Sequence, residues 1–133
     1  MEKMQARNMS PVVLAYMGDT VYESFVREHL INKNNICKVN DLHKNAVRFV
    51  KASAQAKAVL TLEEELSDDE SYIVKRGRNQ KSNKVPKNAD TTDYRYATGF
   101  EALIGYLHLI KEQDRVNYIM SKAVEIIEGE LSI

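Results

Sequence analysis

Residues 96–110 read YATGFEALIGYLHLI, and residues 11–22 read PVVLAYMGDTVY. Both segments are apolar with helical spacing, and each contains one acid, Glu101 in the first and Asp19 in the second. An ionised carboxylate removed from water is costly unless it is paired or coordinates a metal. A fold that keeps two such acids needs a compensating cation, and a divalent metal is the simplest candidate.

Around these segments the chain reads as a succession of helices. Ser10 followed by Pro11 is a start signal, since serine caps open N–H groups and proline tolerates the first helical position. The helix so begun is predicted to reach about Leu30, with Leu14, Met17, Val21 and Phe25 as one buried stripe. Asp19 shares a second face with Ala15, Tyr22 and Val26, and this face is predicted to be closed to water by another helix or subunit. After INKNN, Asn40 is a cap for a helix carrying Leu42, Ala46, Phe49 and Val50, and an alanine-rich helix follows over Ala54 to Leu62. Ser67 and Glu70 have the spacing of a capping box that opens a helix through about Arg78. Asp90 to Thr92 cap the helix of Glu101, which runs to about Ile110 with Tyr94, Thr98, Glu101, Gly105 and His108 on one face. Val116, Ile119, Met120, Ala123 and Ile127 define a last helix, with Gly129 as its terminator. No strand-period alternation is present, so the fold class is all-α.

At 133 residues the chain suits one domain with one core. It is 44% hydrophobic and 29% charged, with Gly 5 and Pro 2, which excludes a disordered or loop-dominated chain. Cys37 is the only cysteine, so intrachain disulfides and thiol metal sites are excluded, and a cytoplasmic location is expected. No apolar run reaches the roughly 18 residues of a membrane span, and MEKMQARNMS lacks the apolar centre of a secretion signal.

The net charge is zero, yet the charges are segregated. Residues 63–70 hold six acids, whereas residues 75–87 hold Lys75, Arg76, Arg78, Lys81, Lys84 and Lys87 and no acid. The acidic run is expected to be a solvated helix N-terminus that complements the helix dipole, without a functional role. The basic run lies in a segment of turn formers and is interleaved with Asn79, Gln80, Ser82 and Asn83, which suits a grip on phosphates as well as a solubilising surface. His29, His43 and His108 lack the i, i+4 spacing of a helical metal pair, and Tyr94, Tyr96 and Tyr106 are read as packing groups. The residues alone leave three readings: a metal-dependent enzyme acting on nucleic acid, an RNA-binding dimer without catalysis, and a protein-interaction module in which Asp19 and Glu101 bond buried tyrosines.

GDTVYESFVREHL, VKRGRNQKSNKVPKNAD and YRYATGFEALIGYLHL together resemble the catalytic domain of ribonuclease III. Within that family the chain is most similar to the Mini-ribonuclease III branch, which lacks a separate double-stranded-RNA-binding domain. The resemblance covers Val12 to Glu128 in one order, and residues 1–133 are expected to form a single catalytic domain. It implies a helical homodimer with a valley for an RNA duplex and an active centre at each end. Asp19 matches the aspartate of the family's Gly-Asp motif, and Glu101 matches the glutamate of Phe-Glu-Ala-Leu-Ile-Gly. Both are then the catalytic residues and the ligands of Mg²⁺, with Mn²⁺ able to substitute, and the product carries a 5′-phosphate. Ala15 and Thr98 stand where larger ribonuclease III enzymes carry a glutamate and an aspartate, which halves the acidic cluster; Thr98 could still orient a metal-bound water. Lys75, Arg76, Arg78, Lys81, Lys84 and Lys87 resemble the family's duplex-embracing loop. The implied substrate is a stem of precursor large-subunit (23S) ribosomal RNA, presented with a ribosomal protein.

Overall fold

The computed structural model describes residues 1–34, 38–80 and 90–131. Its helices are α1 (Lys3–Arg7), α2 (Pro11–Asn34), α3 (Val39–Val50), α4 (Ala52–Leu62), α5 (Asp68–Arg78), α6 (Thr91–Leu109) and α7 (Gln113–Leu131), with a 3₁₀ turn over Glu63–Glu65 between α4 and α5. Among the described residues there is no strand. No helix of the described residues is long and apolar enough to cross a membrane.

Helix α6 is the centre of the molecule, packed against α2, α4 and α5, with α7 and α1 adding smaller contacts. Every residue from Ala97 to Leu107 is buried except Glu101, which is half-buried. Its first turn is capped as expected, the Asp90 carboxylate accepting from the Asp93 N–H at 2.9 Å. Tyr22 of α2 meets Phe100 of α6 edge to face, with centroids 4.9 Å apart, and its hydroxyl donates to the Phe49 carbonyl of α3 at 3.3 Å. One phenol thus satisfies its polar end while joining three helices.

Helices α2 and α6 touch through their backbones. A Cβ placed on Gly18 would lie 1.7 Å from the Glu101 carbonyl oxygen, and one on Gly105 would lie 1.9 Å from the Leu14 carbonyl oxygen. Only hydrogen fits at either position. A second close crossing joins α5 to α6, where a Cβ on Gly77 would fall 2.8 Å from the Gly99 Cα.

Several local expectations are corrected. Helix α2 continues to Asn34, beyond Leu30, and α7 continues through Gly129, which has nothing within 4 Å of its Cβ position and so is no obstacle to the helix. Asn40 lies inside α3, whose N-cap is Lys38 without a side-chain cap bond. The core stripe of α2 runs through Leu14, Tyr22, Val26 and Leu30, whereas Met17, Val21 and Phe25 are only half-buried. The Gly18 crossing rotates α2 so that Tyr22, not Val21, faces α6. The acidic run is only partly solvated: Glu70 is 5% exposed and binds Arg115 through both carboxylate oxygens at 2.8 Å, and Asp69 pairs with Lys3 at 3.0 Å. Glu70 also completes the capping box with Ser67. Burial pushes the Glu70 carboxyl up, but the Arg115 guanidinium and the Ser67 bonds outweigh it and hold the group below the usual range.

Gly18→Ala should destabilise the protein by about 3 kcal/mol or more in urea unfolding, since two backbones rather than one flexible side chain must move. Gly129→Ala should be neutral or stabilising by up to about 1 kcal/mol. Equal effects at the two positions would contradict the crossing.

Candidate active site

The α2–α6 crossing determines where the two isolated acids lie. Asp19 follows Gly18, and the Glu101 carbonyl is the atom that Gly18 abuts, so both carboxylates open into one pocket of about 260 Å³. Its lining comprises Val12, Ala15, Tyr16, Asp19, Tyr94, Thr98 and Glu101. The structure therefore brings together Asp19 and Glu101, the two residues expected as metal ligands, and Thr98, expected to act through a metal-bound water. Neither acid has an ion-pair partner among the described residues. The expectation that water is kept from Asp19 is corrected for the single chain, in which Asp19 is exposed at the rim. Neither acid forms a hydrogen bond to a tyrosine among the described residues, against the reading that made them partners of buried phenols.

Burial pushes the Glu101 carboxyl up to about 8, and the neighbouring Asp19 carboxylate adds to the shift, against the lowering effect of the Gln55 amide. Two adjacent acids without a cation thus resist joint ionisation, and a cation placed between them would remove that resistance. The donors fit Mg²⁺, a hard ion that takes carboxylate oxygens and retains waters. Among the described residues no group of three or more His, Cys, Asp or Glu could hold a metal, so an ion held by Asp19 and Glu101 would take its remaining ligands from water or a bound molecule. Thr98 is buried, and its hydroxyl donates to the Tyr94 carbonyl at 3.0 Å. That bond holds the Thr98 side chain to its own helix, one turn before Glu101.

The basic residues divide. Lys75 is exposed; Arg78 is half-buried, with Nε donating to the Asn79 side chain at 3.1 Å and its guanidinium 5.7 Å above the Tyr96 ring. Arg76 turns the other way, and its Nη1 donates to the Arg7 and Met9 carbonyls at 2.7 and 2.9 Å, fastening the segment after α1 to α5. Its Nη1 therefore serves the fold, a role that the expectation of a phosphate contact did not include. Lys81, Lys84 and Lys87, like Cys37, lie outside the described residues. The Gly77–Gly99 crossing sets the last turn of α5 beside Thr98, so Lys75 and Arg78 extend from an element anchored one helical turn from Glu101.

Gln55 and Tyr16 escaped the sequence reading, and Tyr94, placed on the face of Glu101 but read as a packing group, lines the pocket. Gln55 is 2% exposed, and its Nε2 lies 3.5 Å from Glu101 Oε2. The available signal was its place on the apolar stripe with Val59 and Leu62, where a glutamine is out of character. Of the histidines, His29 bonds Glu128 at 3.0 Å, which settles it as a structural pair; Lys33 reaches the same carboxylate.

Without metal, the folded protein holds a proton on Glu101 between its ordinary 4.5 and about 8, a proton that the unfolded chain has released. Stability should consequently fall as pH rises through that window. In EDTA, thermal unfolding from about pH 5 to about pH 8 should show a smaller fall for Glu101→Gln than for the parent. Parallel profiles would contradict the shift.

A model of the "Ribonuclease III domain" matches residues 12–112. The Mini-ribonuclease 3 of Brevibacillus brevis is 52% identical over 121 residues, covering 91% of this chain and 90% of that protein. That of Clostridium tetani is 47% identical over 126 residues, covering 95% and 83%. A crystal structure of a Fusobacterium nucleatum protein superposes with a TM-score of 0.79 at 27% identity, covering 93% of this chain and 96% of that one. The segments that carry Asp19, Thr98 and Glu101 all fall inside the matched region, and the chain belongs to the ribonuclease III domain family, in its Mini-ribonuclease 3 branch.

Proposed function

We propose that the protein is an endoribonuclease that hydrolyses double-stranded RNA, with Mg²⁺ held by Asp19 and Glu101. The observation that carries this reading is the pair of carboxylates from α2 and α6 sharing one pocket without a cationic side chain. Mn²⁺ serves in place of Mg²⁺, because the same oxygen donors suit both. When bound, the ion would activate an attacking water and offset charge on the scissile phosphate. Asp19, at the exposed rim, can meet the cation with its waters, whereas Glu101, half-buried, fixes the inner side of the site. Thr98 orients a water through its oxygen.

Duplex RNA suits the arrangement because its regular backbone can be read by shape and charge alone. Lys75 and Arg78, with Lys81, Lys84 and Lys87 beyond them in the chain, supply the phosphate contacts in this reading. A homodimer is part of the proposal: Val12, Val13 and Tyr16 leave an apolar outer face on α2, with Tyr16 77% exposed, beside the pocket that the duplex must reach. From the resemblance to Mini-ribonuclease III, we extend the proposal to a stem of precursor 23S ribosomal RNA in the cytoplasm, presented with a ribosomal protein. Loss of the protein in its host should then leave 23S ends unprocessed.

Cleavage of a long RNA duplex should require Mg²⁺, stop in EDTA, and fall by about 100-fold or more in Asp19→Asn and Glu101→Gln variants that remain folded. Duplex binding by the parent without metal-dependent cleavage would favour a non-catalytic RNA-binding dimer, and no duplex affinity would favour a protein-interaction module. Lys75→Glu and Arg78→Glu should weaken duplex binding and flatten its salt dependence by about one unit of slope each. Arg76→Glu should chiefly lower the melting temperature, because it opposes two backbone carbonyls. An unchanged salt slope in the first two variants would remove them from the RNA interface.

A further inference from the structure

We infer that Gln55 is a positioning residue of the site, its amide nitrogen retaining Oε2 of Glu101 against the protein and leaving Oε1 for the cation shared with Asp19. The inference rests on the metal-dependent reading above and adds to it a residue from a third helix. Gln55 lies on α4, 2% exposed, and its Nε2 donates to the Val50 carbonyl at 2.8 Å while lying 3.5 Å from Glu101 Oε2. The Val50 carbonyl can only accept, so the amide must present its NH₂ end, and the second hydrogen of that group is the one available to Glu101. The opposite end of the amide supports a functional reading: Gln55 Oε1 is buried with no hydrogen-bond partner. An unpaired buried acceptor lowers stability, and an apolar side chain on this stripe, beside buried Val59 and Leu62, would avoid it. A fold retains such a group where local stability is subordinate to a site.

The plainer role is a staple, since Val50 ends α3 and Gln55 would then only fasten the α3–α4 junction. The two roles separate by experiment. A staple lost lowers the melting temperature and leaves metal affinity unchanged; a positioning amide lost changes metal affinity, as groups that orient metal ligands characteristically do. Gln55→Leu and Gln55→Met should be prepared in the full chain; their different shapes make a shared folding failure uninformative only if both collapse, and Gln55→Asn, smaller than the parent side chain, then serves instead. Two measurements are made on each: the shift in melting temperature on adding Mn²⁺ without RNA, and the Mg²⁺ concentration giving half-maximal duplex cleavage.

The expected result is a smaller Mn²⁺-induced shift and a half-saturating Mg²⁺ raised by about tenfold. The duplex Kd in EDTA should stay within about twofold of the parent, because phosphate contacts lie elsewhere. Parental metal responses in folded variants would overturn the positioning role while leaving the nuclease reading intact. A parent that neither binds Mn²⁺ nor cleaves with Mg²⁺ would overturn both.

Discussion

Two helices can approach until their backbones touch only where neither places a side chain at the crossing. Gly18 and Gly105 meet that condition on α2 and α6, each facing a carbonyl of the other helix. The consequence is chemical as well as steric. At an ordinary interhelical distance of 8–10 Å, roughly, side chains separate the axes; here Asp19 and Glu101 come from backbones in contact, and short carboxylate side chains suffice to share one pocket. The same crossing settles the rotation of α2, turning Tyr22 inward to Phe100 and leaving Asp19 at the rim. Core packing and site geometry are therefore consequences of one contact.

That contact creates an electrostatic conflict which no cationic side chain among the described residues relieves by an ion pair. Glu101 is the one residue between Ala97 and Leu107 that is not fully buried, and burial together with Asp19 disfavours its charge. Elsewhere the fold neutralises its buried acids: Glu70 has Arg115 and Ser67, and Glu128 has His29 and Lys33. The contrast is that these acids have cationic partners, whereas Asp19 and Glu101 have none among the described residues. Gln55, a neutral donor, can orient Glu101 without cancelling the charge that a metal requires.

The readable parts of this chain were those set by short-range physics. The capping box at Ser67 and the Asp90 cap are local hydrogen-bond patterns, and both form as the residues indicate. Asp19 and Glu101 were legible because an acid among apolar residues departs from its background. What escaped was determined by contacts distant in sequence. The stripe assigned to Met17, Val21 and Phe25 lies to one side of the true core face, because spacing alone does not distinguish neighbouring faces of a helix that is apolar over much of its circumference. Gln55 stands out on the apolar stripe of its helix, but what it bonds is unknown until α6 is placed beside it. Arg76 was grouped with its basic neighbours because charge is visible in a sequence, whereas the Arg7 and Met9 carbonyls that occupy it are 69 and 67 residues away.

The division among those bases bears on how a reduced acidic site could work. With two carboxylates and a threonine, the pocket offers fewer anionic ligands than a closed protein cage, so the proposed cation would depend on water and phosphate oxygens for the rest of its coordination. In the proposed function, metal and RNA would then reinforce each other's binding by linkage, each completing the other's contacts. Such coupling would demand that Lys75 and Arg78, the proposed phosphate contacts, be placed accurately with respect to the acids. The Gly77–Gly99 crossing does this by seating the last turn of α5 against the backbone of α6 near Thr98. Arg76 reinforces the placement from the other side of α5 by gripping the chain around α1. In the proposed function, a guanidinium so engaged would contribute to phosphate recognition indirectly, by giving Lys75 and Arg78 a rigid base from which to act.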